Sequence, residues 1–344
     1  MSALTEISVI VPVHNGVANG LYECLKSVLS QSYQNLELII IEDGSKDSSN
    51  EVIEKICKPP LCKKIVHITN KGLAASLNDG IRSASGNYLM IIQQDCSLSS
   101  NDAIFKSLEF LSLNKNIDIL VGRQIYDFNM LNFYQKFSEF SLDHFDLNIL
   151  TQGEVDLTEN KCDIIRKEVM DKIGFFDTTQ RISGEDQIFS NRALSLGYKL
   201  YIGEHPEYFN HLLGENTLNK ILKKHYRYGK YSWSLYRKMY RNRLNRNSKK
   251  SYASGKIQNR ILSLSFSSII FVFAVLSIVT LNIGVFSVFS LAILIRVLIA
   301  YNKLTKLKKK VTIPSFHSLP VSILIVLSDF AFALGFVRGV FLQA

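Results

Sequence analysis

Near the start of the chain, Ile7–Val13 reads ISVIVPV, an apolar run rich in β-branched side chains and free of charge. A strand with one wet face alternates in polarity; a run like this one must be hidden on both faces, which places it inside a parallel sheet covered by helices. Similar runs recur at residues 36–41, 65–68, 88–92 and 117–121. Between them the apolar residues fall at helical spacing, first at residues 21–30 through Leu21, Leu25, Val28 and Leu29, then at 73–84 and 101–113. Strands alternating with helices predict an α/β fold, a Rossmann-like, doubly wound and mostly parallel sheet with right-handed crossovers, whose ligands sit at the carboxyl ends of the strands.

Charge divides the chain in two. Residues 1–215 hold 19 Lys and Arg against 29 Asp and Glu, a net of −10, whereas residues 216–344 hold 21 against the single Asp329, a net of +20; together they restore the +10 of the whole. The basicity is a property of the tail, where it surrounds long apolar runs, and that combination points to a membrane surface rather than to nucleic acid. Between residues 219 and 250 there are 12 Lys and Arg and no acid, interleaved with Tyr226, Tyr228, Tyr231, Trp233, Tyr236 and Tyr240, the composition of an interfacial helix.

Residues 260–301 are almost entirely apolar, about twice the roughly twenty residues that one bilayer crossing needs. Asn282 and Gly284 divide the stretch into two expected spans, 261–280 and 284–301. A third candidate, 320–341, is weaker, because Asp329 and Arg338 are costly at depth unless paired. Lys249, Lys250, Lys256 and Arg260 precede the first span, and Lys303, Lys306, Lys308, Lys309 and Lys310 follow the second. The positive-inside bias puts these flanks in the cytoplasm and gives a multi-pass protein of the cell membrane with residues 1–250 on the inner side. The expected organisation is a soluble domain over 1–215, a basic aromatic segment over 216–259, and a membrane domain over 260–344 with two or three helices.

Cys24, Cys57, Cys62, Cys96 and Cys162 are odd in number and lack the paired spacing of a zinc site or a disulfide framework, which fits a reducing compartment. Cys57, Cys62 and nearby His67 have no evident fourth ligand. Residues 1–6 have neither the basic start nor the apolar core of a secretory signal.

Two of the strand-like runs close on acids, Glu42-Asp43-Gly44-Ser45 and Asp95, as a nucleotide-diphosphate site in an open α/β sheet requires. The set Val11-Pro12-Val13-His14-Asn15, then Glu42 through Asp47, Asn70-Lys71-Gly72 with Asn78, Gly86-Asn87-Tyr88, Asp95, and Gly184-Glu185-Asp186 resembles the family 2 glycosyltransferases of the GT-A fold over roughly residues 5–210. The part from Gly174-Phe175-Phe176-Asp177 to Tyr226-Arg227-Tyr228-Gly229 is similar to the membrane-attached branch that includes succinoglycan-type glucosyltransferases. The resemblance implies an inverting transfer from a nucleotide-sugar donor, expected to be a UDP-sugar, to a lipid-linked or polysaccharide acceptor, with Mg²⁺ or Mn²⁺ as cofactor.

It also implies roles. Pro12, His14, Asn15, Asp43, Gly44, Asn70, Gly72, Asn78, Gln94 and Asp95 match nucleotide-binding positions, with Asp43 bonding the uracil ring and Asp95 holding the cation in a DxD variant that reads Gln93-Gln94-Asp95-Cys96. Asp186 matches the general base and Glu185 its catalytic neighbour, which orients the acceptor or the loop. Each acid also has a structural alternative: Asp-Gly-Ser is ordinary turn chemistry, Asp95 can cap the next helix, and Ser183 with Glu185 and Asp186 can start one. Asn78 and Arg82 can equally serve their helix alone, and His205 and His211 read as surface histidines. Arg227, Lys230 and Trp233 lie where processive relatives carry Gln-x-x-Arg-Trp, which is absent, so polymerisation is not expected. The rival function is a catalytically silent nucleotide-sugar-binding scaffold. Residues alone do not identify the sugar, the acceptor or the oligomeric state.

Overall fold

The computed structural model describes residues 6–60, 62–125, 131–140, 152–179, 184–211, 216–243, 283–308 and 318–342. It divides into two compact units, residues 1–127 with 146–214, and residues 128–145 with 215–344.

The first unit is built on a sheet whose strand order is β3 (Cys62–His67), β2 (Leu36–Asp43), β1 (Ile7–Val13), β4 (Tyr88–Ile92), β8 (Cys162–Arg166), β6 (Ile119–Ile125), β9 (Leu200–Asn210) and β5 (Cys96–Leu98), with β7 (Gly153–Val155) also paired to β9. From β3 to β4 every pairing is parallel. Beyond β4 the sheet is mixed: β8 runs antiparallel to both β4 and β6, β6 and β9 are parallel, and β5 and β7 run antiparallel to β9. The expectation of a mostly parallel sheet therefore holds only for the first half.

Strands β1 and β4 fall where their apolar runs lie, because those residues are buried on both faces. One face of the sheet receives α1 (Leu21–Leu29) and α4 (Ala103–Leu113), whose Leu25, Val28, Ile104 and Leu108 meet Val9, Val11, Ile40 and Met90. The other receives α3 (Leu73–Ser83), α6 (Lys167–Ile173) and α7 (Glu185–Ser195), whose Leu77, Ile81, Met170 and Phe189 meet Ile10, Ile39, Ile41 and Ile91. Adjacent residues of one strand thus serve opposite layers. Helix α3 lies close to the sheet at Gly80, where a Cβ would come within 2.5 Å of Ile10 Cγ2. The short α2 (Ser49–Ile56) and the strands β5, β7, β8 and β9 were not expected from the apolar pattern.

Cys57 and Cys62, not expected to pair, form a disulfide across the turn between α2 and β3, with Cα atoms 5.4 Å apart. The bond removes both residues from any metal site and withdraws the cysteine pattern as an argument for a reducing compartment. Cys24, Cys96 and Cys162 are free and buried.

The second unit contains α5 (Phe133–Phe140), α8 (Leu218–Arg243), α9 (Ile283–Lys308) and α10 (Ser318–Leu342). The backbones of α8 and α10 meet at glycines: a Cβ on Gly335 would lie 1.9 Å from the Tyr226 carbonyl oxygen, and one on Gly229 equally close to that of Phe332. Small residues at such a crossing are how helices pack tightly in lipid. Among the described residues one helix is long and apolar enough to cross a membrane, Pro320–Phe341, with a mean hydropathy of 2.1. In α9 the segment Ser290–Asn302 is a shorter apolar stretch; the expected span 261–280 lies outside the described residues. The two charges that weakened the third candidate have partners: Asp329 accepts bonds from Arg296 Nε at 2.9 Å and Nη2 at 2.6 Å, and Arg338 donates to the Tyr226 hydroxyl at 3.0 Å.

Candidate active site

At the carboxyl ends of the parallel strands three loops are laced together by side chains. Asp43 closes β2 and is buried. Its Oδ1 accepts the Lys71 N–H at 2.8 Å and its Oδ2 the Gly72 N–H at 2.9 Å, two successive amides forming a small anion cradle. Gly72 supplies the turn with φ +94°, and Gly44, at φ +64°, lets the loop after β2 approach so closely that a Cβ would stand 2.7 Å from the Asn70 nitrogen. His67, at the end of β3, completes the environment of Asp43 with Nδ1 2.7 Å from Oδ1. Glu42 turns back to accept the Ser45 N–H at 2.6 Å.

His14 and Asn15, just beyond β1, connect this corner to the next. His14 Nδ1 lies 2.9 Å from the Asp43 carbonyl oxygen, so that nitrogen donates. Asn15 sits in the left-handed region at φ +48°, its N–H donating to Ser45 Oγ at 3.0 Å and its Oδ1 accepting from the Lys46 N–H at 2.8 Å. Pro12 is buried inside β1 opposite Ile41. Gln94 clamps the His14 peptide from both sides: Oε1 accepts its N–H at 2.9 Å and Nε2 donates to its carbonyl at 3.0 Å. That clamp ties the end of β1 to the turn carrying Asp95.

The DxD-like turn has an asymmetric layout. Gln93 turns inward, Nε2 donating at 3.3 Å to the carbonyl oxygens of Glu159 and Asn160. Asp95 stays partly exposed, with the Cys96 thiol 3.6 Å from Oδ1 and its own carbonyl accepting the His211 N–H at 2.8 Å. Burial pushes the Cys96 and Cys24 thiols far up, and the Asp95 charge pushes the same way, so neither is a ready thiolate. Among the described residues no three His, Cys, Asp or Glu side chains gather as a metal-binding group. The turn offers one carboxylate to a hard cation, a donor set that fits an ion shared with an anionic ligand and not a cage made by protein alone.

Asp186 stands in the first turn of α7, behind the cap Gly184 at φ +97°. Its carbonyl accepts the Ser190 hydroxyl at 2.8 Å, and Ser190 Oγ accepts the Thr158 N–H at 3.0 Å. Residues 158–160 also hold Gln93, so a chain of hydrogen bonds links the start of α7 to the Asp95 turn. Glu185, beside it, is buried, and burial first and the Asp186 charge second raise its pKa to about 8. Asp163 in β8 belongs to the same region: Oδ1 accepts the Gly122 N–H at 3.0 Å, the Thr158 hydroxyl bonds Oδ2, and burial raises its pKa to about 6.

Of the positions expected to bind nucleotide, then, Asp43, Gly72, His14, Asn15 and Gln94 meet in one hydrogen-bond network, Gly44 packs closely against the Asn70 backbone at its edge, and Asn70 is exposed. Asn78 stands elsewhere. Buried in α3, its amide donates to the Phe176 carbonyl at 3.0 Å and accepts the Phe176 N–H at 2.8 Å, so a nucleotide contact would compete with two bonds that pin the segment after α6. Arg82 reaches Asp79 at 2.8 Å and lies over the Phe175 ring. His67 was not picked out as part of this site by sequence reasoning; it precedes Asn70-Lys71-Gly72 by three positions at the end of a largely exposed strand, and its own burial is the signal only the fold supplies.

The Glycosyl transferase family 2 model matches residues 8–174. Glycosyltransferase GlyG of Streptococcus pneumoniae serotype 4 is 34% identical over 132 residues, which is 37% of this chain and 42% of that protein. The glycosyltransferase EpsJ of Bacillus subtilis is 33% identical over 114 residues, 33% of this chain and 32% of the relative. The chain therefore spans less than half the length of these curated relatives. Among solved structures, the mannosyltransferase PcManGT from Pyrobaculum calidifontis in complex with GDP-Man and Mn²⁺ superposes with a TM-score of 0.58 at 13% identity, over 100% of this chain and 89% of that one. This last likeness is one of fold.

Proposed function

We infer, from the premise that residues 8–174 are a family 2 glycosyltransferase domain, that this chain transfers a sugar from a nucleotide donor, with a UDP-sugar as the preferred class and inversion at the anomeric carbon. The observation that carries the reading is the hydrogen-bonded linkage of the Asp43 and Asp95 corners through His14 and Gln94, at the ends of β2, β1 and β4. Ligands of open α/β sheets bind at such strand ends.

An ionised carboxylate accepts about four hydrogen bonds, and in Asp43 three are taken, by Lys71, Gly72 and His67. The direction left on Oδ2 suits the ring N–H of uracil. Asp95 would hold a divalent cation, Mg²⁺ or Mn²⁺, which when bound neutralises charge on the departing nucleoside diphosphate; the fold neighbour PcManGT was solved with GDP-Man and Mn²⁺. Asp186 takes the proton of the attacking hydroxyl. Glu185, whose pKa is raised to about 8 by burial first and the Asp186 charge second, holds its proton at pH 7 and leaves the base role to its neighbour. A lipid-linked or membrane-proximal acceptor follows from the apolar Pro320–Phe341 and the basic, aromatic α8, with the domain on the cytoplasmic side.

The test is transfer by the purified chain from UDP-, GDP- and dTDP-sugars to a membrane lipid extract, with and without Mn²⁺. Activity that persists unchanged in Asp95→Ala with chelator present discards the cation role, and absence of transfer from every donor despite nucleotide binding favours the silent scaffold, which the inward turn of Gln93 keeps in view.

A further inference from the structure

His67 ends β3 with its ring buried between two carboxylates from different elements: Nδ1 is 2.7 Å from Asp43 Oδ1, and Nε2 is 2.9 Å from Asp79 Oδ2 in α3. Asp79 is itself held, by Arg82 at 2.8 Å and by Lys71 Nζ at 3.7 Å. An aliphatic side chain would fill the same slot against α3. What the imidazole adds, with its proton on Nδ1, is a donor aimed at one oxygen of Asp43, on a ring whose far nitrogen lies against a second carboxylate, the arrangement by which outer partners orient a working carboxylate. With Oδ1 occupied by His67 and Lys71, the carboxylate cannot rotate about its axis without breaking two bonds, and Oδ2, engaged by Gly72 alone among these three, keeps an acceptor direction for a ligand.

We propose that His67 is a positioning residue for the donor nucleotide: by bridging Asp79 to Asp43 it fixes the Asp43 carboxylate so that Oδ2 meets the ring N–H of a uracil-, thymine- or guanine-type base. Adenine and cytosine present a bare ring nitrogen at the corresponding edge and are disfavoured by an acceptor. The inference rests on the transferase reading above.

The full chain is titrated with UDP by calorimetry, donor KM and kcat are measured separately, and Tm is recorded without nucleotide. His67→Leu weakens UDP binding and raises donor KM by about tenfold or more, as loss of a hydrogen bond to a charged group predicts, while kcat stays within about twofold. His67→Asn, whose amide nitrogen stands near the place of Nδ1, recovers most of the affinity; His67→Gln, whose amide reaches toward Asp79, does not. A merely structural role has no reason to favour Asn over Gln, and that pair remains informative if the Leu variant does not fold. Wild-type affinity in His67→Leu, or equal losses in the Asn and Gln variants, overturns the proposal alone. A wild-type chain that binds none of UDP, dTDP and GDP overturns the transferase reading together with it.

Discussion

The two halves of the sheet treat buried acids in opposite ways. In the parallel half, Glu37 of β2 accepts from Ser8 Oγ at 2.7 Å, from the Ser85 N–H and hydroxyl at 2.6 Å each, and from Lys63 at 2.6 Å; burial alone pushes its pKa up, but these donors outweigh it and hold it near 2. Asp43, on the same strand, has three donors. In the mixed half, burial dominates instead, and Asp163 and Glu185 sit at about 6 and about 8. Glu37 is kept ionised as a fixed acceptor. Asp163 and Glu185 are kept near the pH at which protons move, which is where acid–base chemistry is done.

The largest expected effect is at the proposed base, in the first turn of α7 beside the mixed half. Asp186→Asn lowers kcat by about 10³-fold, within the range for removal of a general base, and leaves UDP affinity within about twofold because the parallel half is untouched. Single-turnover transfer and calorimetry on the same preparation check both. Loss of UDP binding together with transfer would mean that the two halves do not divide the work.

Next comes the parallel half. Glu37→Gln keeps one oxygen for Ser8 and Ser85 but sets an NH₂ against the Lys63 ammonium, donor facing donor. It costs about 1–3 kcal/mol of stability by chemical denaturation at pH 7. Because the folded pKa lies below that of a free Glu, this contribution is present above about pH 4.5 and fades as pH falls toward about 2, so wild type and variant converge in acid.

That contrast was only half legible in the sequence. The parallel half announces itself because a strand buried on both faces is written as a nearly continuous apolar run, as in ISVIVPV and in LELIII with its single Glu37, and because acids placed directly after such runs must stand at strand ends. The mixed half hides itself. Strand β9, LYIGEHPEYFN, carries Glu204, His205 and Glu207 among buried residues, and β8 contains Asp163 at a buried position, so neither reads as core until its neighbours are known. Gln93 shows the same limit: next to Asp95 it reads as a ligand substitute, and only the backbone of residues 159–160, far off in sequence, reveals where its amide goes. In the tail, Asp329 was expected to be costly at depth unless paired, and its partner Arg296, far off in sequence, is identified only by the fold.

A smaller effect is expected at Glu185. Its proton is retained in the folded protein up to about pH 8, above which ionisation beside Asp186 puts two negative charges in the first turn of α7. Activity should therefore fall on the alkaline side with an apparent pKa near 8, and Glu185→Gln, neutral throughout, should retain kcat within about tenfold and lose that limb. A pH–rate profile identical in wild type and variant would assign the limb to another group.

The smallest effect applies the same acid-to-amide swap used on Glu37 to the other half. In Asp163→Asn the side-chain oxygen still accepts from Gly122, and the NH₂ finds the Thr158 hydroxyl, which can turn to accept. Since the folded pKa is raised from 3.8 to about 6, wild type holds its proton more tightly when folded, and its stability declines as pH rises from about 4 to about 6. The variant lacks that slope, so its Tm relative to wild type rises across this window by the equivalent of on the order of 2 kcal/mol, and at pH 7 it is no less stable than wild type by more than about 1 kcal/mol. Equal destabilisation by Glu37→Gln and Asp163→Asn at pH 7 would show that both acids are held by donors in the same way, and the division between the two halves would have no energetic content.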